Sequence, residues 1–330
     1  MRDTPLDTAP AVARAVAILR RGGLVAFPTE TVYGLGADAG NEAAVRRIFA
    51  VKQRPVDHPV IVHIPDASHL PRWAARVPEA AARLAAAFWP GPLTLVLERA
   101  AGVLDAVTGG QDSVGVRVPY HPLALDLLHA FGGGLAAPSA NLFGCLSPTS
   151  AEHVLAELGD QVDLVLDGGA CRVGIESTIV EVNGSQPRLL RPGGIGLAAM
   201  EAVVGSAILP AGSDAPRAPG RLASHYAPRT AMTLVEPGQL AAAVQAAVQA
   251  GRRPAVFSRH PLPPSPAVVA VRAPSSATEY ARVLYRTLRR LDDVGADLLL
   301  VEAVPDAPDW LAVRDRLARA ASHDLGDDEP

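Results

Sequence analysis

The stretch from Gly23 to His63 does most to limit what this chain can fold into. It opens with an apolar run of strand length, Leu24 to Phe27, and breaks at Pro28. A polar, glycine-spaced turn follows, Thr29-Glu30-Thr31-Val32-Tyr33-Gly34-Leu35-Gly36. The pattern then predicts a helix with Asn41 as N-cap and Val45, Ile48 and Phe49 on one face. That helix ends in Lys52-Gln53-Arg54-Pro55, and Pro59 to Ile64 predicts a second strand. Hydroxyls, a carboxylate, two cations and His63 thereby gather at the ends of two strands, where open α/β sheets hold their ligands.

Lys52 is the only lysine, against 29 arginines. A single ammonium in such a chain marks either a site that needs a compact, flexible charge or a helix end favoured by the macrodipole.

At 330 residues, two domains are expected. With 49% hydrophobic and 19% charged residues, the composition is that of a well-packed soluble protein rather than a disordered one. A net charge of −4 argues against a general nucleic-acid coat, though not against a local basic cleft. Cys145 and Cys171 have no C-x-x-C spacing and cannot make a zinc site, so two reduced thiols in a cytosolic protein are expected. The N-terminus lacks the basic start and apolar core of a signal peptide, and no window reaches the ~18 unbroken apolar residues of a membrane span. A cytoplasmic protein without a membrane partner is the reading.

Residues 1–205 predict one strand-rich α/β unit. Its helices fall near 9–21, 67–75, 79–88, 122–131 and 151–158, and its later strands near 93–97, 114–118, 162–166, 179–182 and 188–191. Ser150 is the expected N-cap of the last helix. Residues 206–230 lose all periodicity and are proline-rich, which predicts a linker. From 231 a βαβ rhythm begins. Strands at 232–235, 254–258, 267–272 and 297–303 alternate with helices at 237–250, 276–292 and 308–320, the pattern of a small parallel sheet. The tail, HDLGDDEP, is expected to fray.

No Walker motif and no helix-opening G-x-G-x-x-G occurs, so a P-loop NTPase or dinucleotide enzyme is not supported. Yet Lys52, Arg54, Arg117 and Arg191 each lie beside a predicted strand end, together with Ser139, Asn141, Ser147 and Ser177. Arginine forks, one ammonium and small hydroxyls suit a polyphosphate. Ser139 sits in P-S-A-N rather than a nucleophile elbow, which argues against covalent serine catalysis. His63 reads either as a ligand contact or as a satisfied core imidazole. Glu30 reads as a ligand-orienting group, a water-mediated Mg²⁺ contact or a turn cap.

Taken in order, P-T-E-T-V-Y-G-L-G, K-x-R-P with P-V-I-V-H, P-S-A-N with S-P-T, E-S-T-I-V, R-P-G and S-H-Y-A-P resemble the YrdC-type threonylcarbamoyl-AMP synthases over about residues 10 to 230. The C-terminal unit is similar to that of the family's longer form. The resemblance implies an α/β protein, with a YrdC-like twisted catalytic domain and a smaller Rossmann-like α/β C-terminal domain. It implies a nucleotidyltransferase that makes L-threonylcarbamoyladenylate and pyrophosphate from L-threonine, bicarbonate or CO₂, and ATP. Downstream proteins would use the product to modify the adenosine next to the anticodon of tRNA, with any contact to tRNA itself indirect. Carried over by motif, Thr31, His63, Arg117, Ala137 (through its backbone) and Ser177 would surround threonine. Lys52, Arg54, His58, Ser113, Ser139, Asn141, Ser147, Arg191 and Tyr226 would hold ATP, with Lys52 and Arg54 in the catalytic role. Mg²⁺ would arrive on the ATP phosphates, with no metal held by protein side chains.

The linker, carrying Arg221, His225 and Tyr226, would fold over the ATP site as a lid that shields labile intermediates from water. His58 departs from the asparagine common in the family, and Arg221-Leu222 departs from the usual Met-Lys or Met-Leu. Two other readings compete. One is a non-catalytic RNA-binding module, opposed by the acidic net charge and sparse aromatics. The other is carbamoyl transfer in hydrogenase maturation, opposed by the two cysteines, too few for its zinc segments.

Overall fold

A computed structural model describes residues 8–184, 186–222, 225–262 and 268–322. The first seven residues, Ser224 of S-H-Y-A-P, the start of the strand expected at 267 and the tail from 323 lie outside the described residues.

The first unit opens with α1 (Ala9–Arg20), β1 (Val25–Phe27), β2 (Gly34–Asp38), α2 (Glu42–Lys52) and β3 (Ile61–His63). It continues through α3 (Glu79–Phe88), β4 (Leu93–Glu98), α4 (Asp105–Thr108), β5 (Ser113–Arg117), α5 (Pro122–Phe131) and β6 (Leu135–Ala136). It closes with α6 (Ala151–Leu158), β7 (Leu164–Val165), β8 (Thr178–Glu181), β9 (Arg188–Arg191), α7 (Leu197–Val204) and β10 (Leu209–Pro210). The strands form one mixed sheet in the order β10-β9-β8-β4-β5-β3-β6-β2-β1-β7.

Local chemistry explains the boundaries. Asn41 caps α2 by accepting the Ala44 amide at 3.2 Å, and Ser150 caps α6 by accepting the His153 amide. Val45, Ile48 and Phe49 of α2 are buried as their spacing predicts. Near 67–75 the chain forms only a 3₁₀ turn, Ala67–Arg72, because Pro71 cannot continue an α-helix. α7 was not anticipated.

The main surprise is β2, which the sequence presents as a turn. Val25 pairs with Gly36 and Phe27 with Gly34 across the β1–β2 ladder. The Phe27 ring lies over Gly36, where a Cβ would stand 2.8 Å from it and 3.2 Å from the Val25 carbonyl. Glycine here makes room for an aromatic ring across a strand pair and does not signal a turn.

The second unit follows its predicted alternation. It comprises β11 (Met232–Val235), α8 (Leu240–Gln249), β12 (Pro254–Ser258), β13 (Val269–Arg272), α9 (Ala277–Asp292), β14 (Leu298–Glu302) and α10 (Leu311–Ala321). Its all-parallel sheet has the order β11-β14-β12-β13. Ser276 caps α9 by accepting the Glu279 amide at 3.3 Å, and its hydroxyl donates to the Glu279 carboxylate. Between the last strand of the first sheet and Met232, the described residues of the linker hold no helix or strand.

The two units share a core. Val32, Leu146, Ile175 and Tyr226 are buried in the same apolar cluster as Tyr280, Leu284, Tyr285, Leu288, Val313 and Leu317 of the second unit. Such a seam is closer to a domain interior than to a hinge. Gly36→Ala is expected to lower stability by about 1–3 kcal/mol through overpacking against Phe27. Denaturant unfolding checks this, and the pairing with Phe27→Leu should recover part of the loss.

Candidate active site

β3 and β5 run parallel with His63 opposite Arg117, so both side chains reach the same end of the sheet. Thr29, Glu30 and Thr31 follow β1, Ser177 precedes β8, and Arg191 ends β9. These strand ends bound a small cavity of about 50 Å³. Thr31, His63, Arg117, Ala137, Ser139, Ser177, Arg54, Arg191 and Tyr226 all line it, with His225 and Gly220 from the linker.

Arg117 is nearly fully buried and held on three sides. Its Nε donates to the Gly91 carbonyl at 3.1 Å and its Nη1 to Thr31 Oγ1 at 2.9 Å. Its Nη2 lies 2.7 Å from Glu30 Oε1, a charge contact whose angle is too poor for a hydrogen bond. Glu30 Oε2 in turn accepts the Tyr120 amide at 3.0 Å. Glu30 is therefore the counter-ion of Arg117, a role its turn position did not reveal.

Arg191 closes the opposite wall. Its Nε and Nη2 donate to the Ser177 carbonyl at 3.2 and 2.9 Å, and Nη2 also reaches Ser177 Oγ at 3.2 Å. Nη1 donates to the Pro219 carbonyl of the linker at 3.0 Å and stands 3.5 Å from the Tyr226 hydroxyl. Gly193 makes this approach possible, since a Cβ there would lie 2.3 Å from the Thr178 nitrogen. Tyr226 itself has φ of 61°, a left-handed conformation rare outside glycine and held here by the packing around its ring.

Several residues expected on the nucleotide stand behind this surface. Lys52 is 1% exposed, and its ammonium donates to the Ser139 carbonyl at 2.6 Å and to the Asn141 carbonyl. It knits the P-S-A-N turn from below, and burial, with Arg54 adding to it, brings its pKa down to about 7. The Asn141 amide donates to the Leu142 and Cys145 carbonyls of the same turn. Ser147 is fully buried and its hydroxyl donates a hydrogen bond to Glu176 Oε1 at 2.5 Å. Ser113 begins β5, at the far end of the strand from Arg117. His58 lines a neighbouring pocket of about 240 Å³ with Arg54, Phe143, Arg217 and Arg221. Arg54 donates to the Pro59 carbonyl at 2.9 Å and stacks on Phe143. Burial lowers its pKa to about 10, which leaves it charged at neutral pH.

Residues 17–193 match the Sua5/YciO/YrdC family model, described as telomere recombination. Residues 195–322 match the threonylcarbamoyl-AMP synthase C-terminal domain. The chain is 39% identical to the threonylcarbamoyl-AMP synthase of Pyrococcus abyssi and 40% identical to that of Bacillus subtilis, each over 94% of this chain and 93% of the relative. It belongs to the Sua5/YciO/YrdC family. It has that family's long two-domain form, and the solved P. abyssi Sua5 complexed with L-threonine matches it with a TM-score of 0.88 at 39% identity, over 94% of each chain.

In this Sua5-type chain, sequence motifs found the cavity wall but missed Thr29, Thr94, Tyr285 and Arg316. Thr94 Oγ1 lies 2.8 Å from Ser177 Oγ, yet in the sequence it is an ordinary strand threonine. Among the described residues, no helix is long and apolar enough to cross a membrane, and no group of three or more His, Cys, Asp or Glu side chains could hold a metal ion.

Two cavity histidines are kept neutral. Burial, aided by Arg117, pulls His63 down to about 3. Burial does the same for His225, also to about 3, against the opposing charge of Glu176. Unfolded, both take up a proton near 6.5, so the stability of the neutral forms is complete above that pH and is lost as pH falls toward 3. Glu176 adds its own loss only below its unfolded value of 4.5. The histidine contribution should therefore lower melting midpoints between pH 6.5 and 4.5, with a shallower fall in His63→Asn. A pH-independent midpoint across that window would contradict this assignment.

Proposed function

We propose that this chain is an L-threonylcarbamoyladenylate synthase. It takes L-threonine, bicarbonate or CO₂, and ATP, and releases pyrophosphate. The observation that carries the reading is the cavity itself, which gathers Thr31, His63, Arg117, Ala137 and Ser177 with Arg54, Ser139, Arg191 and the linker tyrosine in one lining. The L-threonine complex of the P. abyssi relative supports L-threonine as a substrate.

The threonine carboxylate would pair with Arg117, whose guanidinium is already oriented by Gly91, Thr31 and Glu30. The amine attacks CO₂ and loses a proton to give a carbamate. A carbamate oxygen then attacks the α-phosphorus, and the bond to pyrophosphate breaks. Such a step needs alignment and charge neutralisation rather than a protein nucleophile. Arg54 and Arg191 would face the phosphates. ATP would enter as its magnesium complex, because the nearest carboxylates, Glu30 and Glu176, are already engaged by Arg117 and Arg316. The His63 ring lines the cavity with Nδ1 lacking a protein partner, and its low pKa makes it a hydrogen-bonding group rather than a proton store.

A cavity of about 50 Å³ holds little more than a water or two. Pro219, Gly220, His225 and Tyr226 would therefore swing aside to admit substrates and close again over them, the lid role expected of the linker. The product would pass to the proteins that modify the adenosine beside the tRNA anticodon.

The deciding experiment is pyrophosphate release from ATP with and without L-threonine and bicarbonate. Release that needs both co-substrates supports the reading, and release indifferent to threonine defeats it. Lys52→Ala should abolish most turnover by freeing the Ser139 and Asn141 carbonyls, each costing about 1–3 kcal/mol if left buried and unpaired. Arg117→Lys, which cannot hold three partners in one plane, should raise the KM for threonine about tenfold or more.

A further inference from the structure

The second domain reaches the cavity wall with two side chains that no motif announces. Arg316, on α10, is fully buried among the apolar residues Val313, Leu317 and Ala320. Its Nε donates to Glu176 Oε2 at 2.7 Å, and its Nη2 donates to the Pro192 carbonyl at 3.1 Å. Those two partners immediately flank Ser177 and Arg191, which face the cavity. The same guanidinium lies over the Tyr226 ring, 5.0 Å from its centroid. Tyr285, on α9, donates to Glu176 at 3.0 Å and stacks on Tyr226 with ring centroids 5.8 Å apart.

We infer that Arg316 and Tyr285 are positioning residues for the reaction, so that the second domain is a working part of the active site and not only the anchor of its lid. One planar fork joins Glu176, two residues before β8, to Pro192, just after β9, and so sets the distance between Ser177 and Arg191. Its face, with the Tyr285 ring, sets where Tyr226 rests over the nucleotide end. Lysine could not do this, because a point charge has neither the second donor in the plane nor the flat face. Glu176 cannot be left unpaired at that depth, so the geometry persists only while both domains are docked. Ser177 and Arg191 of the first domain and Tyr226 of the linker thus depend on two residues from the second domain.

This inference rests on the reaction proposed above, and the test separates the two. Hydrogen–deuterium exchange on the full chain needs no substrate. Tyr285→Phe keeps the ring and removes only the hydroxyl, and Arg316→Lys keeps the charge and removes the fork. Both should speed exchange in peptides covering residues 175–181 and 188–193. In the pyrophosphate assay both should raise the KM for ATP about three- to tenfold, a change that a smaller folded fraction cannot produce. Leu240→Ala, in the separate apolar cluster on the far side of the second sheet, serves as the control. It should lower the melting midpoint while leaving exchange at 175–193 and the KM for ATP unchanged. Wild-type exchange rates in Tyr285→Phe and Arg316→Lys would overturn the inference, as would faster exchange with an unchanged KM. If the wild-type chain releases no threonine-dependent pyrophosphate, the reaction assignment falls, and the exchange data alone decide whether the clamp exists.

Discussion

Charge that is buried must be met where it stands, and this molecule is arranged around that constraint. Arg117, Arg191, Lys52 and Arg316 are each at most 4% exposed. Every one is held by a carboxylate, a backbone carbonyl or both. Isolated, such groups would cost several kcal/mol apiece, so the chain around each must fold to supply partners. The polar turn after β1, the P-S-A-N turn, the segment before β8 and the R-P-G turn after β9 are the parts that do so. A ligand site emerges because several of these obligations converge on one sheet end.

The same constraint ties the two domains together. Glu176 would be raised by its burial, yet Arg316 and Arg191, with hydrogen bonds from Ser147 and Arg316, hold it at about 2. Two of its partners come from α9 and α10, on the far side of the seam. Around this polar knot, Val32, Leu146 and Ile175 meet Tyr280, Leu284 and Val313 in continuous apolar contact. Beyond β10 the linker has no helix or strand among its described residues, but it is not loose. Tyr226 is fixed between Arg191, Arg316 and Tyr285, and Ala227 donates its amide to the Gly144 carbonyl at 2.8 Å.

Much of the fold was legible because its signals are local. The capping residues Asn41, Ser150 and Ser276, the buried face of α2 and the strand–helix alternation beyond residue 231 all depend on neighbours within a few positions. β2 was not legible, because its glycines answer to Phe27, a partner across the sheet whose ring no local pattern reveals. The cavity-lining half of the site was legible for a different reason. Residues such as Thr31, His63, Arg117, Ser177 and Arg191 sit in short motifs at predicted strand ends. Lys52, Asn141 and Ser147 belong to equally conspicuous motifs but serve the shape of a turn or a buried carboxylate rather than the cavity surface.

By itself, the sequence determined the α/β class, the two units with a proline-rich connection, the family, and most of the side chains that face the cavity. The class and the two units follow from spacing along the chain, which a strand, a cap or a turn converts directly into geometry; the family and the cavity-facing side chains follow from the motif resemblance. Only the tertiary structure decided which cations face the cavity and which stand behind it. It also paired Glu30 with Arg117, and joined Glu176 to a tyrosine and an arginine more than a hundred residues away. Those pairings are set by which buried charges meet once the sheets and domains have packed, and that meeting leaves no periodic trace in the chain.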